Sequence, residues 1–62
     1  MKQSIKIYDG DKLIMELIAV ETNGVTEYYI KKENCMRMIS CERFNTYIDI
    51  AKYAGYTCVD NN

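Results

Sequence analysis

The chain has 62 residues, room for one domain, and at this size folding buries only about 60% of the surface that the unfolded chain exposes, so its independent stability is modest. A hydrophobic content of 48% beside 27% charged residues is the balance of a globular protein, neither disordered nor membrane-spanning, and a formal net charge of −1 gives no general attraction for a phosphate backbone. The absence of histidine removes the commonest general base and the commonest zinc ligand together.

Three cysteines, Cys35, Cys41 and Cys58, are an odd count in a chain with no secretory pattern, so free thiols are expected and a disulfide framework is not. No apolar run approaches the roughly 20 residues of a membrane span, and Met1 to Ser4 leads straight into a strand pattern. The expected setting is the cytoplasm, with no membrane contact.

Ser4 to Tyr8 alternates with Ile5 and Ile7 on one side, and Asp9-Gly10-Asp11 follows as a turn. A three-residue loop sets Ile7 opposite Leu13 and Ile5 opposite Met15, whereas a two-residue loop sets Ile7 against Lys12; the hydrophobic pattern favours the longer loop. The next strand, Lys12 to Val20, carries Leu13, Met15, Leu17 and Ala19 on one side and Ile14, Ile18 and Val20 on the other. Both of its faces are therefore expected to leave water.

Asn23-Gly24 is the strongest hairpin signal in the chain, because a type I′ turn needs positive φ at both central residues. Counting outward from it pairs Ala19 with Tyr28, Leu17 with Ile30, Ile18 with Tyr29 and Glu16 with Lys31. Apolar meets apolar and a carboxylate meets an ammonium, which favours this one register. After Glu33-Asn34 the segment Cys35 to Ile39 alternates again and reads as a fourth strand. With Cys35 in the loop, Met36 and Met38 join the Ile5, Leu17, Ile30 face, and Arg37 and Ile39 join the opposite one.

From Ser40 the period becomes helical, with Phe44, Tyr47, Ile48, Ala51 and Ala54 on one side. Ser40 suits an N-cap, Glu42 suits the helix dipole, and Gly55 stands where a left-handed residue would end the helix. Tyr56 to Val59 reads as a short final edge strand, after which Asp60-Asn61-Asn62 is expected to fray. The expected class is α+β: an antiparallel four-stranded β-meander followed by one amphipathic C-terminal helix packed on one sheet face. Its core would be Ile5, Ile7, Leu13, Met15, Leu17, Ala19, Tyr28, Ile30, Met36 and Met38 against Phe44, Tyr47, Ile48 and Ala51.

The second sheet face would then carry Tyr8, Ile14, Ile18, Val20, Tyr29 and Ile39 among Lys6, Lys12, Glu16, Glu27, Lys31 and Arg37. An apolar patch of that size is rarely left exposed on a monomer, so a homo-oligomer is expected, with Ile14, Ile18, Val20, Tyr29 and Ile39 as its interface. Long Lys and Glu stems lying over the isoleucines are the competing explanation. Six tyrosines are many for so short a chain, although strand propensity alone accounts for tyrosines here.

Chemistry finds little support. Cys41 at a helix start is the one candidate nucleophile, but a cysteine enzyme would want a histidine beside it, and a free cysteine more often serves as a small hydrophobe. The cysteine spacing is not that of a zinc knuckle, the acids around Gly10 lack the other ligands of a calcium loop, and no glycine-rich phosphate loop occurs. Neither catalytic residues nor a metal nor a cofactor is expected.

The sequence points first to a non-enzymatic, homo-oligomeric binding protein that sequesters a small anionic or nucleotide-like ligand. Arg37, Arg43 and Lys31 would neutralise phosphates while Tyr8, Tyr29 or Tyr53 stacks. Its alternative is a protein-binding inhibitor or adaptor that docks on a larger protein through the exposed sheet face or edge. The small size suggests a viral or mobile-element counter-defence protein for either. Nucleic-acid binding on the open face would need Tyr8, Tyr29 and the basic residues, and Glu16 and Glu27 argue against it.

Overall fold

In the computed structural model of the protein, which describes residues 1–61, the hydrophobic alternation resolves into strands β1 (Lys2–Asp9), β2 (Lys12–Thr22), β3 (Val25–Lys32) and β4 (Cys35–Ile39). Helix α1 (Cys41–Tyr53) and a fifth strand, β5 (Thr57–Asn61), follow. All five strands are antiparallel to their neighbours in one open sheet of order β4-β3-β2-β1-β5, with α1 packed on one face. The α1 connection therefore carries the chain from one sheet edge to the other. Four inter-strand spacings amount to about 19 Å and a 13-residue helix to about 20 Å, so the helix has the length this crossing needs.

The central hairpin has the register that the Asn-Gly turn dictates. Glu16 pairs with Lys31, Leu17 with Ile30, Ile18 with Tyr29 and Ala19 with Tyr28. Asn23 and Gly24 take φ of 53° and 81°, the left-handed pair that a type I′ turn demands.

The first hairpin differs from expectation. Its turn holds only Gly10 and Asp11, with Asp9 paired to Lys12 and Tyr8 to Leu13, and the register then shifts so that Ile7 pairs with Met15 and Ile5 with Leu17. Ile14 is the extra residue of this β-bulge. The short turn and the apolar alternation of β2 demand registers one residue apart, and the bulge satisfies both. It also turns Ile14 toward the helix-side core, while Leu13 is 47% exposed.

The third hairpin corrects a second expectation. Glu33 and Asn34 alone form its turn, and Cys35 pairs with Lys32, so Arg37 lies opposite Ile30 and Ile39 opposite Tyr28. A loop shorter by one residue flips every side chain of the strand. Ile39 consequently packs on the core, whereas Met36 and Met38 leave it for the open face at 54% and 62% exposure.

At the C-terminal end, β5 extends beyond the expected fraying point. Cys58 pairs with Ile7, Asp60 with Ile5 and Asn61 with Ser4, and Gln3 Nε2 donates to Asp60 Oδ2 at 3.1 Å. Of the residues expected to fray, Asn62 lies outside the described residues.

The helix is held at both ends by the signals read from the sequence. Ser40 Oγ accepts from the Arg43 amide at 3.1 Å. Gly55, at φ 84°, donates to the Lys52 carbonyl and Tyr56 to that of Ala51, the paired bonds of a Schellman motif. Between these caps, Phe44 and Ala51 are buried against Ile5, Ile7, Leu17 and Ile30, with Tyr47, Ile48, Met15, Ala19, Tyr28 and Cys58 half-buried around them.

Candidate functional site: the open sheet face and the β4 edge

Strand pairing lays the helix-free face out in rows. Asn61, Ser4, Ile18, Tyr29 and Met38 form one row, and Val59, Lys6, Glu16, Lys31 and Met36 form the next. A third row holds Lys2, Val20 and Glu27, and a fourth Thr57, Tyr8 and Leu13. The middle of this face is polar and internally satisfied. The Ser4 hydroxyl donates to Glu16, which stands between Lys6 and Lys31 across the strands. Ile18 is only 5% exposed even though no helix covers it, so its neighbours on the sheet already remove it from water.

The residues expected to form an oligomer interface divide accordingly. Ile18, Val20 and Tyr29 lie on the open face, while Ile14 and Ile39 pack on the helix side. The apolar side chains that the open face exposes stand at its margins: Leu13 beside the first turn, Val59 on β5, and the pair Met36 and Met38 on β4, which continue the rows of Lys31 and Tyr29. Burial raises the pKa of the Tyr29 hydroxyl above its ordinary value, and the Glu27 carboxylate beside it adds to the shift.

The two edges of the sheet differ. β5 offers Thr57, Asp60 and Asn61 with Val59, whereas β4 offers Met36 and Met38 with Arg37 between them on the opposite face. An edge strand presents a row of unpaired backbone N–H and C=O groups, and short length, charge or proline usually blunts it. β4 is short and carries one charge, Arg37, but the side chains of Met36 and Met38 on its other face are exposed and apolar.

The six residues expected to bind a ligand do not assemble into one site. Arg37 on β4 and Arg43 in the first turn of α1 line a shallow depression with Met38, Ile39 and Ser40. Lys31, Tyr29 and Tyr8 belong to three different rows of the open face, and Tyr53 stands alone at the helix end, 96% exposed. Arg37, placed on the open face by sequence, is on the helix side because of the β4 flip.

Two features escaped sequence reading. Met36 and Met38 read as core with Cys35 in the loop, and the pairing of Cys35 with Lys32 puts them on the open face instead. A second open concavity lies between the sheet and the start of α1, lined by Lys2, Ala19, Tyr28, Phe44 and Asn45 among others. The Tyr28 and Phe44 rings meet there at 4.9 Å and 54°. A hydrogen bond with Cys41 pushes the Tyr28 hydroxyl up in pKa, burial adds to the shift, and Asn45 Nδ2 approaches the Cys41 sulfur at 3.7 Å. This cluster fixes the helix start against β3.

All three cysteines are free, with Cys35 and Cys41 exposed and Cys58 half-buried. No helix of the described residues is long and apolar enough to cross a membrane. No family model, curated protein or solved structure matches the chain.

Proposed function

We propose that this chain is a non-enzymatic binding module, an inhibitor or adaptor that docks on a larger protein through its β4 edge and the adjoining margin of the open sheet face. The observation that carries this reading is the exposure of Met36 and Met38, on one face of an edge strand with a single paired side and next to Tyr29. Methionine is adaptable and polarisable, and it recurs on surfaces that bind other proteins. A photo-crosslinking residue in place of Met36, in the full chain inside its native cells, tests the reading. A discrete covalent adduct of higher mass is expected from that position, lost when Met38→Glu is added and absent when the probe replaces helix-surface Asp49. Equal labelling from both positions, or none, would refute it.

A second reading has one observation in its favour: Arg37 and Arg43 line the same depression. Two such guanidiniums suit a small phosphorylated ligand, and a second copy of the chain would have to close the depression into a pocket. Native mass spectrometry of the gently purified protein decides this reading. A dimer or larger form with an added mass of nucleotide size would support it, and a bare monomer would remove it.

A further inference from the structure

We infer that the β4 edge accepts an extended acidic peptide segment as an added strand, with apolar side chains of the peptide over Met36 and Met38 and its carboxylates on Arg37 and Arg43. This inference rests on the protein-docking reading above and gives the partner its chemistry. Three observations combine in it. β4 has one paired side, toward β3, and its other side is the end of the sheet, so backbone donors and acceptors face outward there. Side chains of an added strand must alternate between the two faces, as those of β4 do. On the open face they would meet Met36 and Met38; on the helix face they would meet Arg37 and Arg43, which line one depression.

Charge selects among occupants. Arg37 and Arg43 are the only arginines of the chain, both are exposed, and the depression they share is lined by no carboxylate among the described residues. Guanidinium groups pair with carboxylates through parallel hydrogen bonds. A second copy joined edge to edge through β4 would bring Arg37 and Arg43 toward their own symmetry mates. The charge pattern thus disfavours self-pairing and favours a foreign acidic strand.

The test uses the full chain, isotopically labelled, and a capped, fluorescent seven-residue peptide of alternating glutamate and valine. Saturable binding is expected, with amide shifts centred on residues 35–39 and slowed hydrogen exchange of alternate amides there. The double variant R37E/R43E should bind this peptide at least tenfold more weakly, and should bind instead the peptide with lysine at each glutamate position. Should that variant not fold, failure of the lysine peptide to bind the unaltered chain carries the same information.

Several outcomes would overturn the inference: equal affinity for both peptides, shifts away from β4, no binding at millimolar peptide, or displacement by inorganic phosphate without any change in exchange at residues 35–39. A doubled mass together with β4 amides already protected in the free chain would assign the edge to a second copy and overturn it as well. If the peptide fails while the crosslink from position 36 persists, docking on a protein stands and the acidic strand is wrong. If both fail, both readings fall.

Discussion

Leu17 and Ile7 are fully buried at the centre of the helix-side core, and each is flanked by apolar residues on both neighbouring strands or the helix. Truncation of such a side chain costs about 2–5 kcal/mol, while a chain of this length holds only about 3–9 kcal/mol in total. Leu17→Ala is therefore expected to remove most of the stability, and Met38→Ala, at an exposed site, to stay within about 0.5 kcal/mol. Urea unfolding followed by circular dichroism checks both. Comparable losses would mean that Met38 is packed in the core as Leu17 is.

The tyrosines offer a second residue-scale test. Tyr28 and Tyr29 both have hydroxyl pKa values raised above 10.0, the first chiefly through the hydrogen bond with Cys41 and the second chiefly through burial. The folded state thus holds these protons more tightly than the unfolded state. Their contribution to stability is complete below a pH of about 10 and is lost as pH rises through the shifted values. Absorbance at 295 nm should show tyrosine ionisation that extends above the ordinary range, with Tyr28→Phe and Tyr29→Phe each shortening this late phase. Late ionisation unchanged in both variants would contradict the assignment.

At the scale of elements, the turns decide which face each strand shows. Glu33 sits at φ 54°, left-handed backbone that costs an L side chain about 1–2 kcal/mol and costs glycine little. Glu33→Gly is expected to stabilise the chain by roughly 0.5 kcal/mol once the greater freedom of glycine in the unfolded state is set against that relief. Gly55→Ala should act in the opposite sense. A Cβ at Gly55 would meet no atom within 4 Å, so the loss of about 1 kcal/mol would come from its φ of 84° alone. A rise in thermal midpoint for the first variant and a fall for the second are the expected readings, and a fall for both would mean that the third turn is not left-handed at Glu33.

For the whole molecule, the decisive contact is between distant parts of the chain. β5 covers the edge of β1 and brings Cys58 beside Ile7, and it reaches that edge only because α1 crosses the sheet. A chain ended after Gly55 loses this cover and exposes the β1 edge next to the core. Far-UV circular dichroism and sedimentation velocity should show a truncated chain without cooperative unfolding that self-associates. A truncated monomer with unchanged unfolding would show β5 to be dispensable. The open face behaves differently, because its centre is occupied by the Ser4 and Glu16 contact and by alternating charges, and its exposed apolar side chains stand at its margins, Met36 and Met38 at β4, Val59 at β5 and Leu13 beside the first turn.

The α+β class, the meander order of the first four strands, the central hairpin register and both helix caps are legible in the residues alone. Each of these rests on interactions between residues near one another in the chain: an Asn-Gly turn, a serine N-cap, a glycine C′ residue and cross-strand pairs counted from a short loop. The bulge at Ile14, the flip of β4 and the pairing of β5 with β1 emerge from the folded chain. The bulge reconciles two competing registers, and the flip depends on a glutamate accepting left-handed backbone, which residue type does not announce. The candidate site inherits this division. Arg37 and Arg43 were visible as charges, but their shared depression and the exposed Met36 and Met38 follow from a one-residue difference in a turn, since strand side chains change face at every residue.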